Sequence, residues 1–369
     1  MRLNTKVTRI DVEKKAVHIG EKESLPFDYL VFATGAKALL PPIPGVGEEG
    51  CFTLKNLVDG RNLKAYLKEK NCRSALIVGA GFIALEMAEA FVTLGLKTTL
   101  VHRGELPASR WDGDLAKVML AELTAQGVDF LPRRHVLGVE KRGKSLVLVM
   151  EEGEIAGDLV LFALGVKPAV ELAKEAGIRL GVSGAVAVNF HQETNVAGIY
   201  AVGDCSETFH RVSRRWVNMP LGDVANKQGR LLGRHLSGEA AYFPGVVGAQ
   251  SFKLFKLEAA ATGIDEKEAL SVGFDPVSTL IWGNAIGSAM PGLTQVALKL
   301  IADKGSGMLL GCQAVGQKGA VSRVNVVSAA LWRQATVDDL AFLDLAYAPP
   351  FGAAWDPLHI AAQNLMKLL

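Results

Sequence analysis

The sequence predicts an α/β fold with two doubly wound nucleotide-binding units followed by a C-terminal α+β segment, on three observations. A glycine-rich turn joins a buried strand to a helix at residues 74–89. Two apolar strands end alike, at Thr34-Gly35 and at Leu164-Gly165. After residue 246 strand-like runs precede a helix instead of alternating with helices. At 369 residues the chain exceeds the usual single-domain size.

Composition narrows the function classes. Hydrophobic residues make up 49%, which suits large cores and a buried subunit interface. The 40 basic and 38 acidic side chains are spread along the chain and leave a net charge of +2, which is not a nucleic-acid footprint. Arg2, Lys6 and Arg9 follow Met1 without an apolar run, so no signal peptide is expected. The longest uncharged stretch, Pro276 to Leu298, is broken by Pro291 and glycines, so no membrane span is expected either. Cys51, Cys72, Cys205 and Cys312 show neither C-x-x-C nor zinc-ligand spacing, and a reduced, cytoplasmic protein with no metal site is expected.

In chain order, residues 2–32 alternate apolar and polar side chains around Val7, Ile10 and Val12, then Ala16, Val17 and Ile19. Antiparallel strands should lead into a buried strand, Phe27 to Phe32. That strand stops at Thr34-Gly35 and enters Pro41-Pro42-Ile43-Pro44, either an ordinary turn or a crossing between domains. Gly45-Val46-Gly47-Glu48-Glu49-Gly50 imitates a phosphate fingerprint, but prolines precede it and two carboxylates would face the anion. It reads as a surface loop. Leu54, Leu57, Val58, Leu63 and Leu67 recur at helical spacing over residues 52–72.

Ala75 to Val78 then form a buried strand, and Gly79, Gly81 and Ala84 follow at the G-x-G-x-x-G/A spacing in front of a helical pattern. The first glycine permits the turn, the second lets backbone approach a pyrophosphate, and the third small residue lets the helix pack on the strand. The anion sits on free N–H groups at the positive end of the helix. This helix should end near Leu94-Gly95. The next strand, Thr98 to Arg103, ends where the adenine ribose belongs, about 20 residues beyond the glycines. His102-Arg103 stands there instead of the acidic residue that suits NAD, which points to a 2′-phosphate and NADPH. One charge-assisted bond is worth roughly 1.5–3 kcal/mol, or about ten- to a hundredfold. The alternative is a solvated Arg103 with Glu105 on the ribose.

Residues 115–126 are helical in pattern, and strand-like runs follow at 128–131, 145–150 and 158–161. Leu161 to Pro168 then repeats the ending of the first buried strand, which suggests two related units handing the chain onward at the same point. Thr194 to Val202 delivers Gly203-Asp204 to the C-terminal end of a strand, where ligands bind in open α/β sheets, and Asp204 can accept from a sugar or ribitol hydroxyl. Leu221 to Arg230 opens a helix whose small residues, Ala225 among them, allow close approach to a flat ring. Gln295 to Ile301 and Met308 to Val315, followed by helical 321–335, read as an antiparallel sheet backed by helices.

Gly79 to Glu89, Thr34-Gly35 and Thr194 to Asp204 together resemble the flavoprotein disulfide reductases, also called pyridine nucleotide-disulfide oxidoreductases. Ala261-Thr262-Gly263, Gly311 to Gly316, Asp344 to Phe351 and Asp356-Pro357 are similar to the branch of coenzyme A-disulfide reductases, NADH oxidases and NADH peroxidases. The resemblance implies two Rossmann-like domains, for FAD and for NAD(P)H, plus a C-terminal α+β dimerisation domain. Boundaries follow at 1–55 and 169–245 for the FAD domain, 56–168 for the inserted NAD(P)H domain and 246–369 for the dimerisation domain.

By position, the resemblance implies that Thr34, Gly35, Gly203, Asp204, Ala225 and Phe351 contact FAD. It likewise gives Gly79, Gly81, Phe82, Ile83, His102, Arg103 and Gly165 to NADPH or NADH. Glu86 is placed near flavin and nicotinamide, and Tyr347 and Phe351 in the active site of the other subunit of a homodimer. The branch also begins with an FAD fingerprint and a redox cysteine, and this sequence starts at the strand pair after them, so an N-terminally truncated FAD domain is expected. Cys205 alone has a claim to a helix N-terminus. The expected activity is FAD-dependent transfer from NAD(P)H to a small disulfide such as coenzyme A disulfide. The alternatives are an oxidase or peroxidase, or a nucleotide-binding chain without turnover.

Overall fold

The computed structural model describes all 369 residues, which divide into two compact units: residues 1–37 with 166–246, and residues 38–165 with 247–369. No helix is long and apolar enough to cross a membrane.

The first unit opens with the antiparallel meander β1 (Val7–Asp11), β2 (Ala16–Ile19) and β3 (Glu23–Pro26). Next comes β4 (Leu30–Phe32), and β5 (Ala36–Ala38) carries the chain out. The first crossing therefore lies at 37/38 and not at 55/56. The segment assigned by sequence to the flavin part contains β6 (Cys51–Thr53), which instead pairs in parallel at the edge of the next sheet. Three residues between a proline-rich loop and a helix carry too little period to reveal this.

The second unit holds α1 (Leu57–Lys70), β7 (Ser74–Val78), α2 (Phe82–Thr93), β8 (Lys97–Val101), α3 (Gly113–Ala125) and β9 (Asp129–Leu131). An antiparallel excursion follows, β10 (Val136–Arg142), β11 (Ser145–Met150) and β12 (Gly153–Gly157), before β13 (Leu159–Phe162). The parallel sheet has the order β6-β13-β7-β8-β9. Its central strands are buried from end to end at 75–78, 98–101 and 159–162, as a sheet covered on both faces requires. Helix α1 begins with a capping box in which Asn56 and Asp59 satisfy each other's backbone donors. Helix α2 stops at Leu94, with Gly95 in the left-handed region.

The chain re-enters the first unit through β14 (Val166–Pro168), which pairs with β5, so both crossings run side by side. The similar endings at Gly35 and Gly165 both have positive φ. Then come α4 (Glu171–Glu175), β15 (Ile199–Ala201), which pairs in parallel with β4, a 3-10 turn at Gly203–Cys205, the hairpin β16 (Thr208–His210) and β17 (Arg215–Val217), and α5 (Gly222–Leu236).

The C-terminal part comprises β18 (Gln250–Leu254), β19 (Leu257–Gly263), α6 (Glu266–Ser271), β20 (Pro276–Asn284), β21 (Gln295–Asp303), β22 (Leu309–Gly316), α7 (Ala320–Trp332), α8 (Val337–Ala341) and α9 (Pro357–Met366). The sheet is antiparallel throughout, in the order β18-β19-β22-β21-β20. It shares one core with the nucleotide sheet: Leu254, Leu257, Ala259, Ala297 and Val315 pack with Leu85, Phe91, Leu115 and Met119. A nearly buried Lys299 ties the two parts further, with Nζ 3.2 Å from Asp112 and 2.8 Å from Glu266. Glu89 accepts the backbone N–H of Phe255 at 2.7 Å and also pairs with Lys253.

Candidate functional site

The fingerprint turn has the geometry its residue types require. Gly79 sits at φ 119°, and a Cβ there would lie 2.4 Å from the carbonyl oxygen of Ala163. Its N–H donates to Val101 at 2.9 Å, which holds the turn between β7 and β8. Gly81 is the N-cap of α2, extended and without any side-chain cap, and a Cβ on it would meet nothing within 4 Å. Ala84, on the first turn of α2, is fully buried. Uncapped N–H groups and open space before Gly81 leave room for a pyrophosphate, so these residues fit a dinucleotide.

Beyond the turn, Phe82 is exposed and Ile83 half-buried. Ile83, Glu86 and Met87 from α2 and Leu54 to Leu57 from the start of α1 line a cavity of about 400 Å³. The carboxyl of Glu86 is raised above its usual range, first by desolvation against this wall and second by the charge of Glu89. Sequence reasoning missed Lys55 and Asn56 as lining residues. The Asn-x-x-Asp spacing signals the start of α1 but not what lies beside it.

At the end of β8, His102 donates its backbone N–H to Leu131 at 2.9 Å and packs its ring 6.2 Å from Phe130. Burial, with a smaller push from Arg103, lowers its pKa. Its Nε2 is buried without a hydrogen-bond partner. Arg103 is exposed, and Glu105 is engaged 3.0 Å from Arg133 on the surface. Gly165, at φ 97°, follows the end of β13 in the same unit.

In the first unit, Thr34 Oγ1 donates to the carbonyl of Ala169 at 2.6 Å, and the carbonyl of Gly35 accepts the Ala169 N–H at 2.9 Å. Gly203, at φ 75°, donates its N–H to Gln228 Oε1 at 2.7 Å, and a Cβ on it would press to 3.2 Å from that of Ala225. Both positions must therefore stay small. Asp204 is half-buried on the turn after β15, and Asn218 Nδ2 fixes that turn by donating to the carbonyls of Asp204 and Ser206 at 2.9 and 3.2 Å. Helix α5 has no side-chain cap. Gln228 is fully buried with its Nε2 unpartnered. These groups fit the sugar-alcohol side of a flavin nucleotide. Asn218 and Gln228 act from 15 and 25 residues downstream of Gly203, so no local pattern marks them.

All four cysteines are free thiols. Cys51 donates weakly to the Gly45 carbonyl, and burial beside Glu48 pushes its pKa up to about 11. Burial raises Cys72 and Cys312 as well. Cys205 is buried inside the 3-10 turn with Sγ directed to the carbonyls of Phe32 and Val202, surrounded by acceptors instead of the N–H groups its expected helix terminus would supply. The loop at 45–50 is exposed at Gly47, Glu48 and Glu49, as expected of a surface loop, but packed at its ends: a Cβ on Gly45 would lie 1.9 Å from the Val139 carbonyl and one on Gly50 2.5 Å from the Tyr66 hydroxyl. Tyr347 and Phe351 lie between α8 and α9, 57% and 82% exposed.

The family model described as pyridine nucleotide-disulphide oxidoreductase matches residues 1–229, and that of its dimerisation domain matches residues 249–358. Among curated proteins, the chain is similar to the NAD(P)H sulfur oxidoreductase (CoA-dependent) of Pyrococcus furiosus, 37% identical over 98% of this chain and 83% of the relative. Among solved structures it is similar to a NAD-dependent persulfide reductase from A. fulgidus, with TM-score 0.95 and 36% identity over 98% of this chain and 68% of the other. It also superposes on reduced Bacillus anthracis CoADR-RHD with TM-score 0.94 and 32% identity, covering 99% of this chain and 66% of that one.

Proposed function

The chain belongs to the pyridine nucleotide-disulphide oxidoreductases, flavin-dependent enzymes that use FAD and NAD(P)H, and we propose that it serves NADPH-dependent reduction of a small disulfide such as coenzyme A disulfide. The observation that carries the reading is the uncapped start of α2 at Gly81 combined with His102-Arg103 at the end of β8. Gly79, Gly81 and the first turn of α2 hold the pyrophosphate, and His102 and Arg103 take the 2′-phosphate. Phe82, Ile83 and Glu86 line the nicotinamide side, with Gly165 in the loop after β13, the strand that pairs with β7. Thr34, Gly35, Gly203, Asp204 and Ala225 hold the flavin nucleotide. When bound, FAD supplies a two-electron acceptor for the hydride of NADPH. Coenzyme A enters through the relatives named for it, and oxygen or peroxide is the alternative final acceptor.

We further propose a homodimer through residues 246–369, in which Tyr347 and Phe351 of each copy serve the active site of the other. A second reading, nucleotide binding without disulfide turnover by this chain alone, is favoured by its four thiols, none of which has the cationic or helix-terminal surroundings of a redox cysteine. The visible spectrum of the gel-filtered chain after incubation with FAD tests the proposal. A retained flavin band bleached by NADPH supports it. A colourless protein would leave only the second reading.

A further inference from the structure

The segment from Leu343 to Asp356 carries Tyr347 and Phe351 in solvent, yet one buried side chain ties its two ends. His359, on the first turn of α9, is only 7% exposed. Its Nδ1 accepts the backbone N–H of Asp356 at 3.2 Å, and its Nε2 lies 2.8 Å from the carbonyl oxygen of Leu343. A carbonyl can only accept, so the ring proton belongs on Nε2, and that single tautomer serves both bonds. Asp356 is held in turn by Arg323, whose Nε and Nη2 donate to its carboxylate at 2.9 and 2.7 Å. The same guanidinium donates to the carbonyl of Ala285 at 3.1 Å, and two residues on, Gly287 donates its N–H to Pro349 at 2.7 Å, in the middle of the segment.

We propose that His359 is a positioning residue, which through its Nε2–H tautomer fixes segment 344–355 so that Tyr347 and Phe351 are presented in one conformation. The use of that conformation rests on the functional reading above; the tie itself does not. Glu or Gln is the usual third residue of a capping box. Glutamate could accept from Asp356 but could not donate to Leu343, leaving a carbonyl without its partner. Glutamine can do both.

Hydrogen exchange of the full 369-residue protein tests the tie. In His359→Leu the amides of 344–355 should exchange about tenfold faster or more, since two bonds are lost, while those of β21 and β22 keep their protection. His359→Gln should restore the segment to within about threefold of the parent. A folded Leu variant with unchanged exchange in the segment would overturn the proposal. The unmodified protein gives a second readout that needs no variant: nitrogen NMR of His359 should show the Nε2–H tautomer, and an Nδ1–H tautomer would overturn it. In FAD-loaded protein, His359→Leu should lower kcat while leaving KM for NADPH unchanged. Absence of turnover in the parent would count against the functional reading, and the exchange data would still decide the tie.

Discussion

The two parts of this chain proposed to bind nucleotides differ in what holds their groups in place. The part proposed for NAD(P)H has five parallel strands, a glycine fingerprint turn and a helix with its terminus left open. In the part proposed to hold the flavin, β15 pairs with β4 and is bridged at Tyr200 by Glu193, and the groups proposed to meet the ligand sit on one turn, Gly203-Asp204, braced by Asn218 and Gln228. Where strands are buried on both faces, the site geometry is set by the sheet. Where the sheet is as narrow as β4-β15, side-chain bonds carry more of that geometry, each worth about 1 kcal/mol net. The first site should therefore tolerate loss of one polar contact better than the second.

The largest expected effect breaks the stronger site. Gly81→Asp places a carboxylate in the open space before α2, and NAD(P)H affinity should fall about a hundredfold by calorimetric titration, with no loss of melting temperature because nothing is displaced and aspartate is a good N-cap. An unaffected affinity would move the pyrophosphate elsewhere. Asp204→Ala removes one acceptor from the flavin side and should weaken FAD retention on gel filtration by about tenfold while leaving NADPH binding intact. Joint loss of both ligands would show that the two sites are not separable.

The smallest effect sharpens the chemistry at His102. Burial and Arg103 depress its pKa in the free protein, whereas a 2′-phosphate would favour the protonated ring. Binding should then take up protons, and NADPH affinity should rise about two- to threefold from about pH 8 to about pH 6.5, with NADH affinity flat. A matching slope for both nucleotides would remove His102 from the 2′-phosphate site.

The parts legible in the sequence were those governed by local rules. Gly79, Gly81 and Ala84 fix a turn whose steric demands any chain must meet, and the strand endings at Gly35 and Gly165 mark both crossings through their positive φ. What was not legible depends on distant partners. The edge strand β6 exists because Val160 to Phe162 pair with it from more than a hundred residues away. Gln228 and Asn218 look like surface amides on a polar stretch until the fold brings them under Gly203 to Ser206. The bond of His359 to Asp356 follows capping-box spacing, whereas its contact with Leu343, 16 residues upstream, comes from closure of a loop.

The most direct test is side-by-side calorimetric titration of the chain with NADPH and NADH. The proposed function predicts at least about tenfold tighter binding of NADPH, a margin erased in Arg103→Ala. Equal or tighter binding of NADH by the parent chain would contradict it and return the ribose to Glu105.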